Sequence, residues 1–325
     1  MNYLFNKYPE YRIIVLDLLT YAGNQANIPE EIKNSDRFEF WYGDINNAEI
    51  LSELISRSDF VIHLAAESHV ARSIFQNRVF FQTDVMGTQA VANAVLKYKN
   101  RVRRFIHIST SEVYGSGIVF PMTEDHPLNP CSPYASAKAG ADRLVYSYIQ
   151  TYDIPAVIMR PFNQYGPQQH LEKAIPRFIT SVVMGEKPLI HGYGGATRDW
   201  VYVKDTCRAI DIVMHEEDHK VNGKTINLGT GVETSILNVA RTILKCMDKP
   251  LGFLDHIEDR PGQVERHCSS TDKAWELLGW NATTTLEEGI KKTVDWYCSN
   301  SYWWEPLVWM RKVKITLPNG RKIDH

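Results

Sequence analysis

Thr110, Ser111, Glu112, Tyr134 and Lys138 are the side chains whose types and spacing could do chemistry together. Tyr134 and Lys138 are four apart in SPYASAKAGADRLV, a stretch that reads as the start of a helix, so they share one helix face. An ammonium beside a phenol favours phenolate and is expected to lower the phenol pKa toward neutrality, which suits proton transfer from a hydroxyl group. A Tyr-x-x-x-Lys pair alone occurs by chance. Here it follows HISTSEVYG, an apolar run ending in Ser109, Thr110, Ser111 and Glu112, which brings hydroxyls and a carboxylate to a strand end.

Positioning these groups takes alternating strands and helices. Strand-like runs are Tyr11–Leu16, Phe38–Tyr42, Phe60–Leu64, Arg104–Ile108 and Ala156–Met159. Helical patterns cover Ala48–Ser56, Phe80–Lys97 and Ala135–Tyr152, and residues 1–8 read as the back half of a helix. This order predicts an α/β fold with a doubly wound parallel sheet, whose ligands bind at the carboxyl ends of the strands. Asp17, Asp44, Ala65, Ala66, Ser109, Thr110 and Asn163 fall at those ends. Beyond Arg160 the rhythm loosens. Helices are expected over Lys173–Met184, Thr206–His215, Ile236–Met247 and Leu286–Tyr297, and strands over Leu189–His191 and Thr225–Leu228. The division predicted is a sheet domain over 1–165 and a smaller, partly interleaved C-terminal substrate lobe over 166–325. In the tail, Pro318-Asn319-Gly320 suits a hairpin turn, and tryptophans such as Trp303 read as packing.

With 325 residues, a net charge of −2 and 44% hydrophobic content, the chain can bury a sizeable core. The charge balance gives no reason to expect nucleic acid or a membrane surface as partner. Five scattered cysteines without C-x-x-C spacing read as reduced thiols of a cytoplasmic protein. No apolar run is long enough to span a bilayer, the N-terminus lacks signal-peptide order, and no His/Cys cluster has metal spacing.

Taken together, VLDLLTYAGN, GDI, HLAAESHVARSI, STSEVYG, SPYASAKAGADRLV, RPFNQYGPQQ, EKAIPRFI, TRDWVYVKD, NLGTG and RPGQ resemble the extended short-chain dehydrogenase/reductase family. The resemblance is to its nucleotide-sugar 4,6-dehydratases of the dTDP-glucose type, and it runs to about residue 295. It implies a Rossmann-like sheet, bound NAD, a nucleoside-diphosphate sugar as substrate and a homodimer built on helices such as Phe80–Lys97 and Ala135–Tyr152. Three departures stand out. The family opens with a strand and a G-x-x-G-x-x-G turn that cradles the pyrophosphate, and this sequence has neither. The strand it lacks is central in the sheet, so a truncated N-terminus is expected. Thr110-Ser111-Glu112 stands where dTDP-glucose dehydratases carry Thr-Asp-Glu, and resembles GDP-mannose dehydratases and UDP-glucuronate decarboxylases instead. Ala71-Arg72-Ser73 replaces the family's Asp-Arg-Ser.

The resemblance assigns roles. Tyr134 would take the proton of the sugar 4-hydroxyl, Lys138 would bind the nicotinamide ribose, and Thr110 would hydrogen-bond the same sugar oxygen. Glu112 would remove the C5 proton once C4 is a ketone. Ser111 is a poor acid, which leaves Glu112 or a water to assist departure of the 6-hydroxyl. Asp17 would accept both adenosine ribose hydroxyls, favouring NAD over NADP. Asp44 and Ile45 would frame the adenine, Leu64, Ala65 and Ala66 would line the dinucleotide, and Thr83 and Ser109 complete that set. Arg198 and Arg260 are expected to clamp the diphosphate, with Ser68, Asn163, Lys173 and Asn227 on sugar or phosphate. Each has a plainer reading: Asp17 as a turn cap, Leu64 as strand-end packing, Glu112 as a surface glutamate, the arginines in salt bridges, and His69 as a satisfied core residue. A nucleotide-sugar 4-epimerase would keep Tyr, Lys and NAD but need no glutamate at 112. A sugar-nucleotide-binding paralogue without turnover would fit the absent Gly-rich turn.

Overall fold

The computed structural model describes residues 1–258, 264–311, 314–316 and 322–324. The β-rich runs of the first half become β1 (Ile13–Asp17), β2 (Phe38–Tyr42), β3 (Phe60–His63), β4 (Arg104–Ile108) and β5 (Ala156–Pro161). Almost every residue of β4 (RFIHI) and β5 (AVIMRP) is buried, as expected of parallel strands covered on both faces. The second half adds β6 (Asn163–Tyr165), β7 (Leu189–His191), β8 (Thr197–Tyr202), β9 (Thr225–Leu228), β10 (Glu233–Ser235) and β11 (Asp255–Ile257).

Parallel pairing orders the main sheet β3-β4-β5-β9, with Ile106 opposite Val157 and Met159 opposite Ile226. β1 pairs in parallel with β2 alone among the described residues, Val15 facing Phe40. The parallel strands thus form two groups among the described residues. One apolar layer joins them: Leu16 of β1 and Val61 of β3 pack against the same cluster, which includes Ile45, Leu51, Val95 and Phe105. β9 comes from the second half yet lies beside β5, so the two halves interleave.

The Pro133–Tyr152 helix starts where its chemistry says it should. Ser132 caps it by accepting from the Ala135 N–H, and Pro133 occupies the first turn, where a missing N–H costs nothing. The helix expected over Phe80–Lys97 is instead composite. A short Asn77–Phe80 turn leads into a π-helical stretch, Phe81–Gly87, and then an α-helix over Thr88–Lys97. Two local features accompany the wide turn. The Asp84 carboxylate accepts the Glu67 N–H at 2.8 Å, and a Cβ on Gly87 would lie 2.3 Å from Ile45 Cδ1. π-turns inside α-helices recur at functional sites.

A small sheet ordered β10-β8-β6 was not legible as strands, because TRDWVY and the three-residue β6 and β10 lack a clear two-residue alternation. β7 pairs in parallel with β11. Their core holds Tyr165, Ile179, Trp200, Ile243 and Tyr297. Trp303 and Trp304 of the tail belong to it: Trp304 Nε1 donates to the Tyr297 carbonyl at 2.8 Å, and Trp303 Nε1 to Asn27 Oδ1 at 3.0 Å. These tryptophans are packing residues. β12 (Lys314–Thr316) and β13 (Lys322–Asp324) pair antiparallel, as the expected hairpin requires, and its Pro-Asn-Gly turn lies outside the described residues. Among the described residues the cysteines are free, and no helix is long and apolar enough to cross a membrane.

Candidate active site

Tyr134, Lys138 and Asp142 recur at four-residue spacing on one face of the Pro133–Tyr152 helix, turned toward the carboxyl end of β4. Lys138 is 4% exposed, and its Nζ donates to the Ile108 carbonyl at 2.7 Å. Asp142 accepts from Ser109 Oγ at 2.8 Å and from Arg160 through Nε at 2.8 Å and Nη2 at 2.9 Å. Arg160 Nη1 also donates to the Tyr114 hydroxyl at 2.8 Å, which donates to Asn227 Oδ1 at 2.7 Å. This buried network ties the end of β4 to the helix. It also corrects one expectation. Asn227 is wholly buried, its Oδ1 taken by Tyr114 and its Nδ2 donating to the Met122 carbonyl, so its side chain is structural and does not reach sugar or phosphate.

The electrostatics of the pair differ from the simple expectation. Burial raises the Tyr134 phenol well above its ordinary value. The charges of Asp84 and Glu112 push the same way, and only a hydrogen bond from Thr110 opposes them. Burial lowers Lys138, against the charges of Asp84 and Asp142. Burial of the phenol itself therefore dominates, and Tyr134 is raised where the Tyr-x-x-x-Lys spacing suggested a lowering.

Thr110 caps a 3-10 turn over Ser111–Tyr114 by accepting the Glu112 N–H at 3.2 Å. The turn holds Glu112 partly exposed, while Ser111 is buried with its Oγ 3.4 Å from His267 Nδ1. His267 Nε2 lies 2.6 Å from the Gly115 carbonyl. Gly115 has φ 67, and a Cβ there would meet the Asn129 carbonyl oxygen at 1.9 Å, so only glycine fits. Thr110, Ser111, Glu112, Tyr134, Lys138 and Ser109 are therefore brought together at the end of β4.

On the dinucleotide side, Asp17 is exposed at the end of β1, with Oδ1 accepting the Leu19 N–H at 2.7 Å. The turn-cap reading and the ribose-binding reading are thus both open to one carboxylate. Asp44 accepts from the Asn46 backbone and side-chain N–H at 2.8 and 2.9 Å, so its carboxylate also serves its own turn. Ile45 is 8% exposed and belongs to the core, its side chain packing under Gly87, which leaves its backbone as the part that could frame an adenine. Leu64 is 60% exposed, which rules out strand-end packing and fits a surface that a flat apolar group could cover. Ala65, Ala66 and Thr83 are half-buried beside it in sequence or on the π-turn. Asp17 at the end of β1 and Leu64 just past β3 are exposed, and Lys138 Nζ reaches the end of β4, positions that suit the ribose and nicotinamide ends of a dinucleotide.

On the substrate side, Lys173 Nζ donates to the Ser68 carbonyl at 2.9 Å and lies 3.4 Å from Ser68 Oγ, which joins two predicted residues across the halves. Next to them Glu172, buried, accepts from the Tyr21 hydroxyl at 2.9 Å and faces Lys173 at 3.5 Å, His69 at 3.6 Å and His170 at 3.7 Å. Burial works against its charge, but Lys173 and the two histidines hold its carboxyl below the usual range. Asn163 is half-buried on β6 opposite Trp200. Arg198 is buried on β8, its Nη1 donating to the Thr197 carbonyl at 2.8 Å, and its charge lowers His267. Arg260 lies outside the described residues. No group of His, Cys, Asp or Glu that could hold a metal ion is present among the described residues.

Sequence reasoning missed His267, Asp84, Glu172 and the Asp142–Arg160 pair. Only Asp142 had a readable signal, the same i, i+4 step that links Tyr134 to Lys138. The others depend on contacts between segments far apart in the chain.

Comparison with known proteins places this geometry. The family description GDP-mannose 4,6 dehydratase matches residues 1–293. The dTDP-glucose 4,6-dehydratase of Mycobacterium tuberculosis is 38% identical over 305 residues, covering 93% of this chain and 89% of the relative. The dTDP-glucose 4,6-dehydratase of Streptomyces venezuelae, solved with NAD bound, is 37% identical with a TM-score of 0.88 over 94% of each chain. UDP-glucose 4-epimerase of Thermotoga maritima, solved with UDP-glucose, shares 28% identity and a TM-score of 0.83 over 92% of this chain and 94% of its own. By sequence and by fold, the chain belongs to the GDP-mannose 4,6 dehydratase family, the nucleotide-sugar dehydratases of the extended short-chain dehydrogenase/reductase class.

Proposed function

We propose that this protein converts dTDP-glucose to its 4-keto-6-deoxy derivative by NAD-dependent 4,6-dehydration. Support for dTDP-glucose comes from the relatives above. The observation that carries dehydration over epimerisation is Glu112, held on a turn capped by Thr110 and close enough to Tyr134 for its charge to act on the phenol. An epimerase needs no carboxylate there.

NAD, when bound, supplies the hydride acceptor for C4 and the hydride donor for C6. The chain's own groups handle the protons. Tyr134 takes the proton of the 4-hydroxyl while Thr110 hydrogen-bonds the phenol. The C4 ketone acidifies C5–H, and Glu112 removes that proton. The C6–O bond breaks, and the proton on Glu112 leaves with the hydroxide as water. A solvent proton then enters at C5. The Tyr134 proton returns to solvent, so charge and atoms balance. Lys138 would hold the nicotinamide ribose and exposed Asp17 the adenosine ribose, where a carboxylate would repel a 2′-phosphate. Lys173, Ser68, Arg198 and Asn163 form the substrate side.

Incubation with dTDP-glucose, UDP-glucose, UDP-GlcNAc and GDP-mannose tests the reading. A 4-keto-6-deoxy product formed fastest from dTDP-glucose supports it, and a C4 epimer with no keto sugar refutes it.

A homodimer is also part of the proposal. Phe81 and Met86 on the π-turn and Tyr146 on the Pro133–Tyr152 helix are 43%, 53% and 41% exposed, an apolar helix face that a second copy would cover. Light scattering should report twice the chain mass for the wild type and the single mass for Met86→Lys. A cytoplasmic location accords with the free thiols.

A further inference from the structure

Asp84 is an acidic group that neither the sequence reading nor the mechanism above uses. It is 1% exposed, and it sits in the π-helical stretch Phe81–Gly87 rather than in a regular helix. One carboxyl oxygen, Oδ1, accepts the Glu67 N–H at 2.8 Å, while Oδ2 is buried without a hydrogen-bond partner among the described residues. An orphaned buried carboxylate oxygen carries a desolvation penalty and calls for an explanation.

Its neighbours supply one. The π-stretch packs against the catalytic helix, where a Cβ on Gly140 would lie 3.3 Å from Val85 Cγ2. The preceding residue Phe80 meets the Tyr134 ring edge-on at 6.3 Å. The charged groups acting on Asp84 are Lys138 from that helix and Glu67 from the loop after β3. Asp84 acts in turn on both Tyr134 and Lys138. Glu67 is itself paired with Arg72, Nη1 to Oε2 at 3.4 Å.

We propose that Asp84 is a positioning residue of the proton-transfer site: Oδ1 fixes the Glu67 loop, and the charge on the carboxyl sets how readily Tyr134 becomes phenolate and Lys138 stays ammonium. Burial pushes the Asp84 carboxyl up to about 7, with the Lys138 ammonium and the Glu67 N–H opposing the rise. As pH rises through that point, the new negative charge opposes ionisation of Tyr134. The proposal rests on the Tyr134 reading above, and its test separates the two.

Asp84→Asn keeps the shape and the Glu67 bond and removes the charge. In this variant the acid limb of the kcat/KM profile should move to lower pH by about one unit. The tyrosinate absorbance of Tyr134, read as the difference from Tyr134→Phe, should likewise appear at lower pH, and this readout needs no substrate. In the wild type, infrared difference spectra should show the Asp84 carboxyl titrating near neutrality, which decides the matter even if Asp84→Asn does not fold. Overlapping pH profiles, an unmoved Tyr134 titration or an Asp84 carboxyl ionised throughout would each overturn the proposal. Failure of the dehydratase reading alone would leave the two spectroscopic shifts in place.

Discussion

Ser111 Oγ lies 3.4 Å from His267 Nδ1, and the other ring nitrogen of His267 lies 2.6 Å from the Gly115 carbonyl. A carbonyl can only accept, so Nε2 carries the ring proton and Nδ1 accepts from the Ser111 hydroxyl. Burial lowers the pKa of His267, against the pull of Glu112, and keeps the ring neutral. The Ser111 proton thus points into the protein, and Glu112 is left to act as both base and acid. Ser111→Ala should therefore lose less than about tenfold in kcat, well below the usual contribution of a general acid. A loss beyond a thousandfold would make Ser111 a proton donor.

Glu112→Gln removes the group that acts at C5 but leaves Tyr134 and Lys138 intact. The variant should form no keto-deoxy product, while bound NAD still becomes partly reduced on adding substrate. Absorbance of the reduced nicotinamide reports this directly. Normal turnover in Glu112→Gln would remove Glu112 from the mechanism.

Asp142 and Arg160 form a buried pair whose bonds hold Ser109 and Tyr114. Burial works against the Asp142 charge, but the Arg160 guanidinium holds its carboxyl far below the usual range. Asp142→Asn leaves that guanidinium without its counter-charge, which should cost about 3–5 kcal/mol in denaturant unfolding. A change under about 1 kcal/mol would mean that the pair is not a structural tie.

Two buried histidines predict acid sensitivity. Burial pushes His63 down to about 3 and His107 well below its ordinary value, and both His107 ring nitrogens lack hydrogen-bond partners among the described residues. Their folded-state pKa values lie below the unfolded value of about 6.5, so the unfolded chain binds more protons in acid. Their contribution is fully present above that pH and is lost as pH falls toward 3. His107→Phe should raise the melting temperature and flatten its fall between pH 6 and 4; an unchanged slope would contradict this.

The two groups of parallel strands should differ in local stability. β4 and β5 are buried and paired on both sides, whereas among the described residues β1 and β3 each pair on one side and are mostly half-exposed. Amide hydrogen exchange should be slowest in β4 and β5 and markedly faster in β1 and β3. Equal protection would show that the sheet opens as one unit.

Much of the fold was legible because it rests on local signals. The apolar runs of β4 and β5 and the Ser132-Pro133 start of the catalytic helix are written in adjacent residues. The site was legible where motif spacing carries it, as for Tyr134, Lys138 and Glu112. It was not legible where burial decides. Asn227 has a type that suits ligand contact, yet the folded chain places it inside. His267 reaches Ser111 across 156 residues, and the Asp84 carboxylate meets the Glu67 N–H, 17 residues earlier. Such contacts exist only once the fold does.

The central claim is that one hydride leaves C4 and returns at C6 of the same sugar, with elimination between. Substrate deuterated at C4, turned over in ordinary water, tests it in one spectrum. The account predicts deuterium at C6 of the 4-keto-6-deoxy product and solvent hydrogen at C5. Deuterium still at C4 of an epimerised sugar, or lost to solvent, would contradict it.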